Sequence, residues 1–143
     1  MARIIVSACL LGCECRYKGD GCENETVLAL AKKHTLIPVC PEQLGGLPTP
    51  RDPSEIVGEK VMSCNGRDVT AEYTRGAETA LRIAKINRAK TAILKAKSPS
   101  CGKGLIYDGT FTGNKVPGDG VTAKLFAENG IRVLTEDEAG ELL

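Results

Sequence analysis

The sequence predicts an α/β fold with a mainly parallel sheet, flanking helices and long loops at the carboxyl edge of the strands. Short β-branched apolar runs alternate with stretches of helical spacing along the chain. The chain has 143 residues, the usual size of a single domain, and its sequence contains no internal repeat or interdomain linker. We therefore expect residues 1–143 to form one Rossmann-like domain.

Two strands and the helix between them account for the first forty residues. Residues 3–8 form a β-branched apolar run, typical of a strand covered on both faces, and lead into Cys9. A helix is predicted over residues 24–34 because Val27, Leu30, Ala31 and His34 recur at helical spacing, and Asn24 or Glu25 could begin it. A second apolar run, residues 36–39, ends at Cys40. This order is typical of a parallel sheet.

The middle of the chain is rich in turn-forming residues. Residues 41–60 contain so many prolines and glycines that we expect a loop, and a loop of this length in a compact domain is usually functional. Asn65 and Gly66 predict a hairpin turn that pairs residues 57–62 with residues 68–69.

The second half of the chain repeats the alternation of helix and strand. Apolar spacing predicts a helix from Thr70, as N-cap, to about residue 86, and residues 91–94 predict a third buried strand. Residues 105–114 alternate loosely and predict a small hairpin. The remaining predicted elements are a helix capped by Asp119 and ending at Asn129, a strand over residues 131–134, and a short helix with a capping box between Thr135 and Glu138.

Charge and composition argue against a nucleic-acid partner. Lysine and arginine number 19 and aspartate and glutamate 18, and both signs are scattered along the chain. With three Tyr, two Phe and no Trp, the chain has few rings on which bases could stack. We therefore expect a small-molecule partner.

The seven cysteines indicate a reducing compartment. An odd count in a chain of this length fits free thiols better than a disulfide framework, so we expect a cytoplasmic protein. The apolar run before Cys9 is too short for a signal sequence. No stretch reaches the length of a membrane span, and we expect no membrane partner. The sequence carries no signal for an oligomeric state.

Three of the cysteines come after predicted core strands. Cys9 and Cys40 follow directly, and Cys101 follows in a loop shaped by Pro99 and Gly102. Because the carboxyl ends of parallel strands meet at one edge, these thiols can converge. Three thiolates suit zinc or an iron–sulfur centre and do not suit magnesium or calcium. The alternative is that each thiol is a small buried hydrophobe.

Glu42 follows Cys40 by two residues and could reach the same edge. Next to thiolates and an apolar wall we expect its ionised form to be disfavoured, which would suit proton transfer near neutral pH. A solvated loop glutamate is the alternative. The only histidine, His34, lies at a predicted helix end, so a Cys-His site is not expected.

The remaining cysteines carry a weaker signal. Cys9, Cys13 and Cys15 are spaced C-x3-C-x-C, which differs from the C-x2-C pairs of zinc ribbons and redox proteins. We interpret Cys13, Cys15 and Cys22 as loop thiols or spare ligands, and Cys64 as incidental.

Motifs spread over the whole chain resemble those of one family. They are Ser7-Ala8-Cys9-Leu10-Leu11-Gly12, Cys15-Arg16-Tyr17, Val39-Cys40-Pro41-Glu42, Gly45-Gly46-Leu47-Pro48-Thr49-Pro50-Arg51, Asp68-Val69-Thr70, Ser98-Pro99-Ser100-Cys101-Gly102, Ile106-Tyr107-Asp108-Gly109-Thr110-Phe111 and Gly120-Val121-Thr122-Ala123. On these motifs the chain resembles the thiouracil desulfidases, a bacterial family.

The resemblance implies a [4Fe-4S] cluster held by Cys9, Cys40 and Cys101, with one open iron that acts as Lewis acid and sulfur acceptor without net redox change. It implies that a thiolated base, nucleoside or other thioamide is hydrolysed, as in thiouracil to uracil and sulfide. Glu42 would activate water or shuttle protons, and Ser98 would hydrogen-bond the reacting group. Such a cluster is sensitive to oxygen, so protein purified in air could lose it or carry zinc instead.

Two other functions remain open at the level of sequence. The same thiolates could form a non-catalytic zinc-binding or sulfide-binding module. The chain could also desulfurate thiolated RNA, although its even charge and few aromatic residues favour a small molecule.

Overall fold

Four parallel strands form the central sheet of the computed structural model, which describes residues 2–143. The strands in chain order are β1 (Arg3–Ser7), β2 (Thr35–Val39), β3 (Ser54–Val57), β4 (Lys60–Ser63), β5 (Thr91–Leu94), β6 (Leu105–Tyr107), β7 (Lys115–Pro117) and β8 (Arg132–Thr135). The central sheet has the order β2-β1-β5-β8, and the pairs β3-β4 and β6-β7 are antiparallel hairpins.

Helices cover both faces of this sheet. They are α1 (Glu25–Ala29), α2 (Pro41–Leu44), α3 (Thr70–Ile86) and α4 (Val121–Glu128), with short 3₁₀ turns over Ala8–Leu11, Leu30–Lys32 and Glu136–Leu142. Successive residues of β1 point to opposite faces: Ile5 packs with α3 and α4, and Ile4 packs with α1. The fully buried apolar run of β1 follows from this position between two helical layers.

The register of the sheet brings three strand ends to one edge. Ile5 of β1 lies opposite Ile37 of β2 on one side and opposite Ala92 of β5 on the other. All three strands run in the same direction, so the loops that follow them begin side by side. These loops carry Cys9, Cys40 and Cys101.

The predicted α/β fold with its mainly parallel sheet is confirmed. All four predicted core strands are present, and α3 covers the predicted range. Thr70 is not the N-cap of α3 as predicted, because Val69 occupies that position. The Asp68 carboxylate instead accepts the Thr70 backbone N–H at 2.9 Å.

The predicted loop over residues 41–60 is wrong at two places. Pro41 begins α2 instead of preventing a helix, since the first helical position needs no backbone N–H. Residues 54–57 form β3, which pairs with β4 across Gly58 (φ +64°). The predicted partner, residues 68–69, makes only an isolated bridge from Asp68 to Met62.

Other elements differ from prediction in their ends. Of the two predicted starts, Asn24 is the N-cap and Glu25 the first residue of α1, but the helix continues after Ala29 only as a 3₁₀ turn. Asp119 does not cap α4, because its carboxylate accepts the Gly104 N–H. The Thr135 capping box is confirmed. No helix in residues 2–143 is long and apolar enough to span a membrane.

Candidate functional site

A cavity of about 430 Å³ lies at the carboxyl edge of the central sheet. Four cysteine thiols line it, from Cys9, Cys15, Cys40 and Cys101. Glu42 and Ser98 line the same cavity. The structure therefore brings together all five side chains that the sequence singles out, together with one further thiol.

The three predicted ligands are held by different local structures. Cys9 lies in the 3₁₀ turn that follows β1 and is buried. Cys40 is the N-cap residue of α2 and is half-buried. Cys101 is buried in the loop after β5. Each thiol is thus fixed by a turn that starts at the sheet edge.

The Ser98 side chain shapes the loop that carries Cys101. Its Oγ accepts the backbone N–H groups of Ser100 and Cys101, both at 3.1 Å. The start of α4 packs so closely that a Cβ on Gly120 would overlap the Ser100 carbonyl oxygen. Because the Ser98 oxygen already accepts two hydrogen bonds, its O–H is left to donate into the cavity.

Three of the cavity thiols, those of Cys15, Cys40 and Cys101, are costly to ionise without a metal because their pKa values are raised. Burial raises the pKa of Cys101 to about 12. A contact with Cys15 and burial raise the pKa of Cys40 above its ordinary value. The contact with Cys40 lowers the pKa of Cys15, but the contact with Cys9 and burial outweigh it and raise that pKa to about 11. A metal centre would therefore displace protons as it binds.

Cys15 lines the cavity, although its spacing in the sequence gives only a weak signal of this position. Its thiol lies within hydrogen-bonding reach of the thiols of Cys9 and Cys40. Its backbone oxygen accepts a contact from Cys40 Sγ at 3.7 Å. The C-x3-C-x-C spacing could not show this, because the fold of a loop without periodicity cannot be read from spacing.

The environment of Glu42 differs from prediction. The Arg51 guanidinium donates to Glu42 Oε2 from Nε at 2.8 Å and also from Nη2. The Tyr73 phenol is buried beside the same carboxylate; burial, and then the Glu42 charge, raise the pKa of Tyr73. A cation therefore faces Glu42 in addition to the expected thiolates. No role was predicted for Arg51 or Tyr73 from the sequence.

Lys95 adds a positive charge to the cavity wall. Its Nζ lies 2.9 Å from Glu136 Oε2. Burial lowers the pKa of Lys95, but the contact with Glu136 outweighs it and keeps the pKa raised. The Lys95 backbone N–H donates to Ser7 Oγ at 2.9 Å, and Ser7 in turn contacts the Cys101 thiol. The cation therefore stays charged next to the thiols.

The other residues considered in the sequence lie elsewhere. Cys13 and Cys64 are exposed, and Cys22 is half-buried outside the cavity lining. His34 bonds the Ala2 N–H through Nδ1 and the Leu142 carbonyl through Nε2, both at 3.1 Å. These bonds make His34 a link between the two chain ends and not a ligand.

The thiols around the cavity fit the ligand requirements of an iron–sulfur cluster. Within residues 2–143, no three His, Cys, Asp or Glu side chains are gathered closely enough to hold one metal ion. A cluster distributes its thiolate ligands over separate irons, so its ligands do not need to meet at one point. Thiols from three segments around one cavity match that requirement, and soft sulfur donors match the metal.

Comparisons with known proteins agree with this chemistry. A family model described as 2-thiouracil desulfurase matches residues 4–138. Uncharacterized protein YbbK of Bacillus subtilis (strain 168) is 44% identical over 150 residues, which cover 98% of this chain and 99% of that protein. The solved structure of the [4Fe-4S]-dependent thiouracil desulfidase TudS is 46% identical, with a TM-score of 0.94 over 99% of this chain and 95% of that chain.

Proposed function

Since the chain belongs to the 2-thiouracil desulfurase family, we propose that it hydrolyses the C–S bond of a thiolated pyrimidine or related thioamide. With thiouracil the products are uracil and sulfide, and no net oxidation or reduction takes place. One desulfidase domain over residues 1–143 carries this activity. The observation that supports it best is the set of thiols from three strand ends around one cavity that also holds Glu42 and Ser98.

Cys9, Cys40 and Cys101 are the residues that hold a [4Fe-4S] cluster in this proposal. Each follows a different parallel strand, and each lines the cavity. When bound by three cysteines, the cluster supplies an iron without a protein ligand, which is a Lewis acid and an acceptor for sulfur. Cys15 is a neighbouring thiol in this proposal, within hydrogen-bonding reach of Cys40 and Cys9.

Glu42 is the general base in this proposal. Its Oε2 is held by Arg51, which leaves Oε1 to take a proton from the water that attacks the thiocarbonyl carbon. The oxygen of that water becomes the carbonyl oxygen of the product. Glu42 passes this proton to the departing sulfur and then takes the proton of the added hydroxyl group as the carbonyl forms, so that both protons of the water leave with the sulfur as hydrogen sulfide.

Ser98 orients the reacting group through its hydroxyl proton. The Ser98 oxygen already accepts two backbone N–H bonds, so the side chain is fixed and acts towards the cavity as a donor. A donor held in place before the reaction stabilises charge that develops on the substrate.

The cavity suits a small substrate. About 430 Å³ lies at the lower end of the range for small-molecule sites and must hold both cluster and substrate. Positive and negative residues are nearly equal in number and are scattered along the chain, which favours a small molecule over RNA. We assign a thiolated base or nucleoside as substrate. The seven free cysteines support a cytoplasmic protein.

The proposal is tested by anaerobic reconstitution with iron and sulfide. We expect about four irons per chain, the composition of the cluster, and sulfide release from 2-thiouracil in the same preparation. Uracil should form in equal amount, as measured by chromatography. Stable zinc binding without cluster formation or sulfide release would contradict the enzyme and favour a metal-binding module.

A further inference from the structure

We propose that Arg51 is a positioning residue that holds one oxygen of the Glu42 carboxylate and leaves the other to the reacting groups. This inference rests on the proposed function, in which Glu42 activates the water. Arg51 itself takes no part in the proposed reaction steps.

All five N–H donors of the Arg51 guanidinium have acceptors within the protein. Nε and Nη2 donate to Glu42 Oε2, and Nη2 also donates to the Cys15 carbonyl at 3.0 Å. Nη1 donates to the Pro48 carbonyl at 3.2 Å and to Thr49 Oγ1 at 3.0 Å. Arg51 therefore has no donor left with which to bind a substrate, although it lines the cavity.

The ion pair is directed at a single carboxylate oxygen. Nε and Nη2 of Arg51 both donate to Oε2, so the usual bidentate pairing with both carboxylate oxygens is not formed. The Arg51 and Glu42 side chains are only 7% and 14% exposed. Because the buried Oε2 accepts two hydrogen bonds, the plane of the carboxylate is fixed. Oε1 therefore keeps one direction relative to the cavity.

The same guanidinium ties three segments together around Glu42. It bonds α2 through Glu42, the loop after β1 through the Cys15 carbonyl, and its own loop through Pro48. The Arg51 backbone N–H adds a bond to the Tyr17 carbonyl at 2.8 Å. The position of the base is thereby set relative to the loop that carries Cys9.

Lysine cannot replace this arrangement. An ammonium group is a single point charge with three donors and cannot reach the Glu42 carboxylate, the Cys15 carbonyl and the Pro48 carbonyl from one plane. Arg51→Lys therefore keeps the charge and loses the orientation. A displacement of about 1 Å in a catalytic group costs on the order of 100-fold in rate.

The first test compares Arg51→Lys with the wild type after anaerobic reconstitution. We expect unchanged iron content, KM for 2-thiouracil within about twofold, and kcat lowered on the order of 100-fold. Arg67→Lys is the matched control, because Arg67 makes an ion pair with Glu72 away from the cavity, and it should leave kcat unchanged. Loss of iron in Arg51→Lys, or a raised KM at unchanged kcat, would overturn the proposal.

The second test asks whether Arg51 acts through Glu42. In a Glu42→Gln background, with slow sulfide release followed over hours, adding Arg51→Lys should change the rate by less than about twofold. Guanidinium ion added at millimolar concentration should restore part of the activity of Arg51→Ala. An equal loss of rate in both backgrounds would show that Arg51 acts independently of Glu42 and would refute the inference.

Measuring the Tm of the apo-protein, which does not depend on catalysis, separates this inference from the proposed function. In the apo-protein, Arg51→Lys and Glu42→Gln should have non-additive effects on Tm, because both substitutions disrupt hydrogen bonds between the same two buried side chains. If the wild type holds its cluster and releases no sulfide, the proposed function fails whatever the Tm values are. Additive Tm effects would refute the ion pair as the device that fixes Glu42.

Discussion

At the scale of single residues, the four thiols of the cavity are not equivalent. Cys9, Cys40 and Cys101 each belong to a different strand end, whereas Cys15 lies against two of them. We therefore propose Cys9, Cys40 and Cys101 as the ligands and Cys15 as their neighbour.

Alanine variants test this division. Cys40→Ala and Cys101→Ala should each lose the cluster, because only two of the three proposed ligands remain. Iron content and visible absorbance after anaerobic reconstitution measure the loss. Cys64→Ala is the control, since Cys64 is exposed and lies outside the cavity. Cluster loss in Cys64→Ala would show that the ligands are assigned wrongly.

Thiol labelling of the apo-protein gives a second residue-scale prediction. Cys13 and Cys64 are exposed and should react with iodoacetamide within minutes near neutral pH. Cys101 is 5% exposed and its pKa is raised to about 12 by burial, so little reactive thiolate is present there. Peptide mass spectrometry resolves the order. Labelling of Cys101 as fast as Cys64 would contradict the buried position.

The convergence of Cys9, Cys40 and Cys101 on one cavity could be predicted because strand ends are regular. Apolar runs locate the strands, and parallel topology brings Cys9, Cys40 and Cys101 to one edge. The positions of Arg51 and Cys15 in the cavity could not be predicted in this way. Both depend on the path of loops whose turns are set by individual contacts, such as the bond from Arg51 to the Cys15 carbonyl.

At the scale of elements, the position of α2 is set by two glycines. Gly45 follows α2 and Gly76 lies in α3, and a Cβ on either would overlap a backbone carbonyl of the facing element. The two helices therefore approach as closely as backbone allows. Because α2 begins after Cys40 and contains Glu42, this contact fixes both a proposed ligand and the proposed base.

Gly76→Ala tests the contact. The added methyl group would overlap the Pro41 carbonyl, so α2 must move away from α3. We expect a loss of about 1–3 kcal/mol in the free energy of unfolding, as for other overpacked sites, together with a lower kcat. Chemical denaturation measures the first effect and sulfide release the second.

Gly140→Ala is the matched control for that variant. A Cβ at Gly140 meets nothing within 4 Å, and stability should stay unchanged. A Gly76→Ala protein as stable and active as the wild type would show that α2 has room to move.

The positions of long helices and core strands were easier to predict from the sequence than the pairing of the hairpin strands. Apolar periodicity finds α3 over its full length, because a helix of 17 residues shows one buried stripe several times. The short α2 shows no period, and its prolines and glycines are typical of a loop. For the β3-β4 hairpin, Asn65 and Gly66 do form a turn, but the tighter turn at Gly58 selects the partner strand.

At the scale of the whole molecule, a bound cluster would join loops from three adjacent strands. Because the three ligands converge only in the native fold, binding energy adds to the stability of the folded state. Loading should raise Tm; a net gain of about 3 kcal/mol corresponds to roughly 6–12 °C for a chain of this size. Differential scanning calorimetry under nitrogen measures the shift.

The same treatment of Cys101→Ala provides the comparison. That variant should show no rise in Tm after reconstitution, since it lacks one corner of the cluster. An equal rise in Tm would mean that iron and sulfide stabilise the chain at another place.

The order of the ligand-bearing strands also bears on synthesis of the protein. Cys9 and Cys40 leave the ribosome early, but β5 pairs with β1 only after residues 91–94 have been made, and Cys101 follows later still. A nascent or truncated chain that ends before Cys101 therefore offers two thiols and an incomplete sheet. Only chains that have been translated past Cys101 and have paired β5 with β1 would thus bind the cluster.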